Sequence, residues 1–262
     1  MTQPRQLHLV RVPMETKALA SWAGERGWVR HRGKQFDFDE GRALHHLLDE
    51  ALGPGLLRPF RLLVPPRRAT GYLYAYSRRN AEELAGRARC YALPDHLAVL
   101  RTESMQSKAM PGEWRVGQKL GFDLRARPVR RLTGELGTAN GTTYKAGAEL
   151  DAFLLEALTV FAADPDGMKK AGRTREAVYL DWLSERLAPW AALDRASSRL
   201  AGFRRGRAAR NGGVGGPDTT IRGTVTISDA TGFGELLERG VGRHCAYGYG
   251  MMMLRPPART QS

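Results

Sequence analysis

Chain length, composition and the order of predicted strands and helices indicate an α+β protein with two domains of β-α-β-β-α-β type. The chain has 262 residues and a mass of 29.0 kDa, which is more than the roughly 150 residues of an average domain. Hydrophobic residues make up 42% of the sequence and charged residues 26%, as is usual for globular proteins. A chain of this length buries about 70–75% of its unfolded surface, so its core needs no disulfide or metal.

The first half of the chain contains one complete set of these elements. Residues 7–12 alternate apolar and polar side chains and predict a strand, whereas the polar, basic and weakly periodic residues 13–38 predict a mobile insertion. A helix is predicted over 40–52, where Asp39 is the N-cap and Gly53-Pro54 ends the helix. The remaining predicted elements are strands at 60–64 and 71–76, a helix at 80–89 and a strand at 95–101. This order is that of a ferredoxin-like (RRM-like) domain.

The second half repeats this order after a predicted linker over 102–117. Its predicted elements are a strand at 119–129, helices at 148–163 and 174–188, two strands flanking a Gly/Arg segment within 199–228, a helix at 231–239 and a strand at 246–255. We therefore predict an N-terminal domain over 1–101 and a C-terminal domain over 118–262, the latter with an insertion at 133–172. The halves share no detectable repeat, so the second domain is predicted from element order alone.

The cysteines and the apolar runs exclude several classes of protein. Cys90 and Cys245 are the only cysteines and form no CxxC or Cys/His pattern, which excludes a disulfide framework and a zinc ribbon. No apolar run approaches the ~20 residues of a membrane span, and the N-terminus lacks the apolar core of a signal peptide. We expect a reduced, cytoplasmic protein that uses no metal or cofactor and contacts no membrane.

The charge of the chain favours a polyanionic partner. Lysine and arginine total 41 against 27 acidic residues, giving a net charge of +14, and most of the basic residues are arginines. The arginine side chain has a planar set of donors that grips phosphate with two hydrogen bonds and stacks on bases. Nucleic acid is therefore the expected partner, and a generally basic surface without a specific partner is the alternative.

Two clusters of arginines are the candidates for contact with this partner. The first cluster, in LGFDLRARPVRRL, contains Arg125, Arg127, Arg130 and Arg131. The second cluster, in RLAGFRRGRAARNGGVGG, contains Arg199, Arg204, Arg205, Arg207 and Arg210. Alternation along a strand puts Arg125 and Arg127 on one face. The glycines after the second cluster predict a basic hairpin or arm that enters the groove of a folded RNA or follows its backbone. The alternative for the second cluster is a solvated, flexible loop.

A glycine-rich segment near the end of the chain is a candidate phosphate-binding loop. The segment GVGRHCAYGYG contains Gly240, Gly242, Gly248 and Gly250, with Arg243 and His244 between them. Glycine allows backbone N–H groups to approach phosphate closely and permits positive φ. The pattern by itself is weak, because glycine-rich turns before strands are common and no GxxxxGK[ST] motif is present.

The predicted helix over 40–52 carries an informative histidine pair. Its apolar stripe consists of Leu44, Leu47, Leu48 and Ala51. His45 lies on the rim of this stripe, with Arg42 and Asp49 on the same flank, and His46 lies nearly opposite, where solvent is expected. A half-buried rim histidine is suited to acid or base chemistry near neutral pH. The alternative, a histidine that is simply packed and hydrogen-bonded, is the more common case for such a position.

Four segments taken together resemble the CasE family of CRISPR repeat-processing endoribonucleases, the crRNA-generating subunits of Cascade. The segments are ALHHLLDEAL, KLGFDLRARPVRRL, TVTISDATGFGELLERG and GVGRHCAYGYG. The resemblance implies tandem ferredoxin-like domains, metal-independent cleavage of the CRISPR repeat RNA at the base of its stem-loop, and retention of the product crRNA beside other Cascade subunits. It also implies that the catalytic histidine is His45, the residue that helix geometry selects.

The implied reaction is attack of the RNA 2′-OH on the adjacent phosphorus. His45 handles a proton as base or acid, and Arg42 stabilises charge on the phosphate oxygens. The products are a 2′,3′-cyclic phosphate or 3′-phosphate and a 5′-hydroxyl. A non-catalytic RNA-binding subunit of such a complex and a generic basic nucleic-acid-binding protein are the alternatives.

The sequence departs from the family pattern at two positions. Arg42 stands where many members have a tyrosine, and Cys245 stands where the glycine-rich loop commonly has a basic residue. Tyr249 and Arg42 are the candidates to supply the missing group.

Overall fold

The computed structural model describes residues 6–32, 35–164, 166–207 and 215–257. They form two compact units. The first unit takes its described residues from 6–114 and 231–251, and the second takes them from 115–207, 215–230 and 252–257. None of the described helices combines the length and the apolar character that a membrane crossing requires.

The first unit is built on one antiparallel sheet. In chain order its elements are β1 (His8–Glu15), α1 (Thr16–Glu25), β2 (Val29–Arg32), β3 (Gln35–Phe38), α2 (Glu40–Leu52), β4 (Phe60–Leu63), β5 (Thr70–Ser77), α3 (Ala81–Tyr91), α4 (Pro94–Val99) and β6 (Gln106–Ala109). The four-stranded sheet has the order β4-β5-β1-β6, and β2 and β3 form a separate hairpin. The first of the four strands thus lies between the third and the fourth, as in a ferredoxin-like domain.

Helix α2 packs its apolar stripe into the core of the first unit. Leu44 and Leu47 are buried in one cluster with residues of β1. The Asp39 carboxylate accepts a hydrogen bond from the Arg42 N–H at 3.0 Å, so the helix is capped where the sequence predicts. The observed bounds, Glu40–Leu52, are also those predicted.

The second unit repeats this sheet arrangement. Its elements up to residue 227 are β7 (Lys119–Ala126), β8 (Val129–Arg131), β9 (Leu136–Gly137), β10 (Thr143–Tyr144), β11 (Glu149–Asp151), α5 (Ala152–Thr159), α6 (Gly167–Lys170), α7 (Arg175–Leu187), β12 (Ala191–Arg207) and β13 (Gly215–Ile227). Helix α8 (Ala230–Arg239) follows β13 in the chain and precedes the last strand of this unit, β14 (Met252–Arg255). The antiparallel sheet has the order β12-β13-β7-β14. The predicted fold class, α+β with two ferredoxin-like sheets, is confirmed.

The β12–β13 hairpin extends beyond the strand next to it. Strands β12 and β13 pair as far as Arg207 and Gly215, whereas the pairing of β13 with β7 ends at Thr219 and Ala126. We call residues 203–207 and 215–218 the arm. A basic hairpin is the predicted structure of this segment, and Arg210, which is predicted to belong to it, lies outside the described residues.

The predicted strand at 95–101 is wrong, because this segment contains helix α4. Pro94 occupies the first position of α4, where its fixed φ suits a helix and its missing N–H is not needed. The fourth strand of the sheet is instead β6, which lies inside the predicted linker over 102–117 and pairs with β1. All four residues of β6 are exposed, so no apolar alternation marks it in the sequence.

Two further segments differ from their predicted structure. Residues 13–38 contain α1 and the β2–β3 hairpin instead of an irregular insertion, and α1 buries only Leu19, Trp22 and Ala23, which conceals its period. The predicted strand over 246–255 begins only at Met252. The residues before it form a short 3₁₀ turn and a glycine-rich loop, because successive left-handed backbone positions prevent strand geometry.

Candidate active site

Helix α2 places His45 at the rim of the core of the first unit. The side chain is 18% exposed, while the adjacent Leu44 is fully buried. This half-buried position is the one that the helical period predicts. An imidazole placed in this way keeps contact with solvent and is held by its neighbours, which suits a group that handles protons.

Arg58 and Asp49 surround one ring nitrogen of His45. An Nη2 atom of Arg58 lies 2.9 Å from His45 Nδ1, and the same Nη2 donates a close hydrogen bond to the Asp49 carboxylate. His45 Nδ1 is 3.8 Å from Asp49 Oδ2, which is too long for a direct hydrogen bond. Burial lowers the pKa of His45 most, the Arg58 cation lowers it further, Asp49 opposes the change and His46 adds to it.

Tyr247 packs on the His45 ring from the glycine-rich loop. The ring centroids of His45 and Tyr247 are 4.9 Å apart. Tyr247 ends the short 3₁₀ turn Cys245–Tyr247, and its carbonyl oxygen lies against Gly41 in the first turn of α2. A Cβ atom at Gly41 would lie 2.6 Å from that oxygen. The missing side chain of Gly41 therefore allows the loop to approach the helix.

Left-handed backbone shapes the glycine-rich loop. Gly240, Gly242, Gly248 and Gly250 have φ of 81°, 82°, 82° and 79°, a conformation that only glycine adopts without strain. His244 is also left-handed, with φ of 65°, and its ring lies 6.4 Å from that of Tyr247. Such strain in a non-glycine residue occurs preferentially at functional sites.

The side chains of Cys245 and Tyr249 face inward, so neither is placed to take part in the reaction. The Cys245 sulfur would lie only 2.5 Å from a Cβ atom at Gly250 and 2.8 Å from one at Gly240. Burial raises the pKa of this thiol to about 11. Tyr249 is 8% exposed. The tyrosine that sequence reasoning missed is Tyr247, which no periodic pattern distinguishes from Tyr249.

His46 is only partly exposed, because Trp28 stacks on it, whereas the helical period predicts a solvated side chain. The two rings stack with centroids 4.7 Å apart and planes inclined by 25°. The exposed Arg42 side chain places its guanidinium 5.2 Å from the centre of the Trp28 ring. Trp28 follows α1 in the segment predicted to be an insertion, so helix periodicity in α2 gives no sign of this contact.

All four arginines of the first predicted cluster make contacts within the second unit. Arg125 donates two hydrogen bonds to Asp218, at 2.9 and 2.8 Å. Arg127 is buried beneath the arm at Gly216. Arg130 pairs with Glu185 at 2.7 Å and Arg131 donates to the Gly147 carbonyl at 3.2 Å. This cluster therefore stabilises the fold of the second unit, and Arg125 and Arg127 do not form one exposed basic face.

The second predicted cluster contains the more accessible charges. Arg204 is 72% exposed and donates to Asp218 at 2.6 Å. Arg199 and Arg205 are exposed, and their side chains have no hydrogen-bond or ion-pair partner among the residues that the structure describes. Arg207 lies in the last position of β12. In the loop of the first unit, Arg243 is exposed and His244 is half-buried.

The described ranges contain no group of three or more His, Cys, Asp and Glu side chains arranged to hold a metal ion. The polar groups near His45 are instead an arginine, a carboxylate and a tyrosine. This set can orient an imidazole and stabilise negative charge near it, which is the requirement of acid–base chemistry at a phosphate.

Comparison with solved structures shows what this fold is similar to. The structure of Thermus thermophilus Cse3 bound to an RNA representing a pre-cleavage complex has 16% sequence identity and a TM-score of 0.57, covering 96% of this chain and 100% of that chain. A structure of the CRISPR endoribonuclease Cse3 bound to 19 nt RNA has 17% identity and a TM-score of 0.58, with coverage of 96% and 100%.

The crystal structure of Cas6e from Escherichia coli str. K-12 has 18% identity and a TM-score of 0.57, with coverage of 95% and 99%. No curated protein sequence matches significantly. The family model described as CRISPR associated protein matches residues 7–256, and because this match spans nearly the whole chain, the protein belongs to the family of CRISPR-associated proteins.

Proposed function

We propose that the protein is an endoribonuclease that binds the stem-loop of a CRISPR repeat and cleaves the precursor RNA without a metal ion. The observation that carries the proposal is the half-buried His45, packed on Tyr247 of a glycine-rich loop. The similar fold of Cse3, an endoribonuclease in complex with RNA, supports the substrate class. The proposal includes a cytoplasmic location and retention of the mature crRNA beside other subunits of a Cascade-type complex.

The proposed reaction is an intramolecular transesterification. The 2′-oxygen on the 5′ side of the scissile bond attacks phosphorus, the P–O2′ bond forms and the P–O5′ bond breaks. The proton of the 2′-OH is lost and the departing 5′-oxygen gains a proton, giving a 2′,3′-cyclic phosphate and a 5′-hydroxyl. His45 acts at one of these two oxygens, and the exposed Arg42 cation stabilises charge on the non-bridging oxygens.

Chemically matched substrates test this reaction. In EDTA, the wild-type protein is expected to cleave the repeat hairpin and to bind, without cleaving, the same hairpin with one 2′-deoxy nucleotide at the scissile position. The nucleophile belongs to the RNA, so its removal abolishes the step and leaves the contacts of the stem unchanged. Product analysis by gel and mass spectrometry measures both results. Cleavage of the deoxy substrate, or loss of cleavage in EDTA, contradicts the proposal.

A non-catalytic RNA-binding subunit is the second candidate function. The presence of Arg42 and of the inward-facing Cys245 at two positions where relatives commonly have other groups favours it. Such a subunit binds the ribose and the deoxy hairpin equally and cleaves neither. The same experiment therefore separates the two functions.

We propose that Arg199 and Arg205, two exposed arginines of the second unit whose side chains have no hydrogen-bond or ion-pair partner among the described residues, contact the RNA. Replacing Arg199 and Arg205 together with glutamine is expected to flatten the slope of log K against log[salt] by about 1.5, since each lost phosphate contact removes roughly 0.7–0.9. Fluorescence anisotropy with the repeat hairpin measures the slope.

Arg195→Gln is the matched control for this double variant, because Arg195 lies on the same strand but its charge is already paired with Asp181. An unchanged slope in the double variant removes these arginines from the RNA interface. Arg125→Gln is not a suitable control, since it would leave the buried carboxylate of Asp218 with a weaker partner.

A further inference from the structure

We propose that Arg58 is a positioning residue that holds His45 neutral with its ring proton on Nε2, so that His45 meets the RNA as a hydrogen-bond donor. This inference rests on the proposed function and assigns the chemical form in which its central residue acts. Arg58 lies outside every motif that the sequence suggests, and its contact with His45 joins the segment before β4 to helix α2.

The direction of the hydrogen bond fixes the tautomer. A guanidinium has five N–H donors and no acceptor, so at 2.9 Å from Arg58 Nη2 the Nδ1 atom of His45 must offer its lone pair. An imidazolium has no free lone pair, and a proton on Nδ1 would point at the donor. The remaining form is the neutral ring with the proton on Nε2.

Asp49 anchors the arginine instead of the histidine. Its Oδ2 accepts from Arg58, while its Oδ1 accepts the Gly55 N–H at 3.2 Å, so the carboxylate is held at both oxygens. In the usual carboxylate–histidine pair, the carboxylate accepts the Nδ1 proton and leaves Nε2 as the base. Here an arginine lies between the carboxylate and the histidine, so Nδ1 is the acceptor and Nε2 carries the proton, the reverse of the usual arrangement.

The surroundings of His45 agree with a neutral ring. The groups facing it are His46 and Asp49 from α2, Arg58 from the segment before β4, and Tyr247 from the glycine-rich loop. Burial and the Arg58 cation lower the pKa of His45, and only Asp49 among these groups opposes them. Protonation of the ring is thus disfavoured until the pH falls below the ordinary histidine value of about 6.5.

The Nε2 atom is available to substrate. It bonds no described residue and is not among the polar side-chain atoms sealed from solvent. A neutral imidazole that donates through Nε2–H can stabilise the negative charge that develops on the departing 5′-oxygen, one of the two oxygens at which His45 is proposed to act, without first taking up a proton from solvent. Protonation of Nδ1 would remove the lone pair that accepts from Arg58 and so release the ring from its position. The acid limb of the cleavage profile is therefore expected below pH 6.5.

Nitrogen NMR of the His45 ring tests the assignment directly. In the wild-type protein at neutral pH, we expect a protonated Nε2 and an unprotonated Nδ1. Arg58→Met removes the donor while keeping an unbranched side chain. We then expect the tautomer with the proton on Nδ1 to appear, because Asp49 can accept a hydrogen bond from it, and we expect the pKa of His45 to rise, because the Arg58 cation is gone. Arg58→Lys keeps a cationic donor and is expected to restore the wild-type tautomer.

Single-turnover cleavage over a range of pH supplies the second readout. Arg58→Met is expected to lower the rate constant at least tenfold at neutral pH and to move the acid limb upward, and Arg58→Lys to recover most of the rate. Arg68→Met, which removes an exposed arginine from the β4–β5 connection, is the charge control for the NMR spectra.

A wild-type ring protonated on Nδ1, or a tautomer and pH profile unchanged in Arg58→Met, overturns the inference. If the wild type has the Nε2–H form but cleaves no RNA, the proposed function fails and the assignment of the tautomer stands.

Discussion

Replacing His45 with alanine is expected to lower the single-turnover rate constant for repeat cleavage by roughly 10²–10⁴, the usual contribution of a positioned acid–base group. The affinity for the hairpin is expected to change little, because in the proposed reaction the imidazole acts at the scissile phosphate and not at the stem. The variant should fold, since His45 lies at the rim of the core and is not one of its buried residues. Quenched-flow cleavage and filter binding on the same RNA separate the two effects.

His46→Gln is the matched control for this substitution. It removes the neighbouring imidazole, which stacks on Trp28, and is expected to retain most of the activity. Circular dichroism and thermal melting show that both variants are folded. If the His45→Ala protein cleaves at the wild-type rate, His45 is excluded from the reaction, and the assignment of the protein to its family is unaffected.

The second large effect is expected from Gly41→Ala, although glycine has no side chain that could take part in the reaction. A Cβ atom at this position would lie 2.6 Å from the Tyr247 carbonyl oxygen, so the glycine-rich loop must move away from α2. A displacement of about 1 Å at a catalytic group can cost on the order of 10² in rate. We therefore expect a loss of that size in the single-turnover rate constant.

Helix propensity separates this effect from unfolding. Alanine is favoured over glycine in a helix by roughly 1 kcal/mol, so the melting temperature of the variant should not fall in proportion to its activity. Gly86→Ala in α3 is the matched control, because its Cβ atom would lie 3.6 Å from the nearest side-chain atom, in ordinary contact. Wild-type cleavage by Gly41→Ala would show that the contact between loop and helix does not matter for the reaction.

The sequence predicts those features that depend on local physics. The bounds of α2 follow from the Asp39 cap and the glycine after the last turn, and the position of His45 follows from the helical period. The sheet order follows from the sequence of elements. The strand β6 is not predicted because its four residues are all exposed, which leaves no apolar alternation in the sequence. Helix α4 is wrongly predicted as a strand because Pro94, at its start, resembles a break between strands.

The rest of the candidate site depends on contacts between distant positions. Arg58 reaches His45 across a turn after α2, and Tyr247 reaches it from more than 200 residues further along the chain. No periodicity encodes either contact. The ion pair between Arg125 and Asp218 is likewise not encoded in a local pattern, since Asp218 lies on another strand.

The length of the β12–β13 hairpin has a consequence for the behaviour of the protein in solution. Strand β12 is at the edge of its sheet, and β13 has no β7 neighbour beyond Thr219, so the arm presents backbone donors and acceptors to which a second copy could add a strand. The exposed charges of Arg204 and Arg205 oppose that association. Salt screens such repulsion at separations beyond about 10 Å at 0.1 M and beyond about 3 Å at 1 M. The concentrated salt that strips nucleic acid from the protein therefore also removes its protection against self-association.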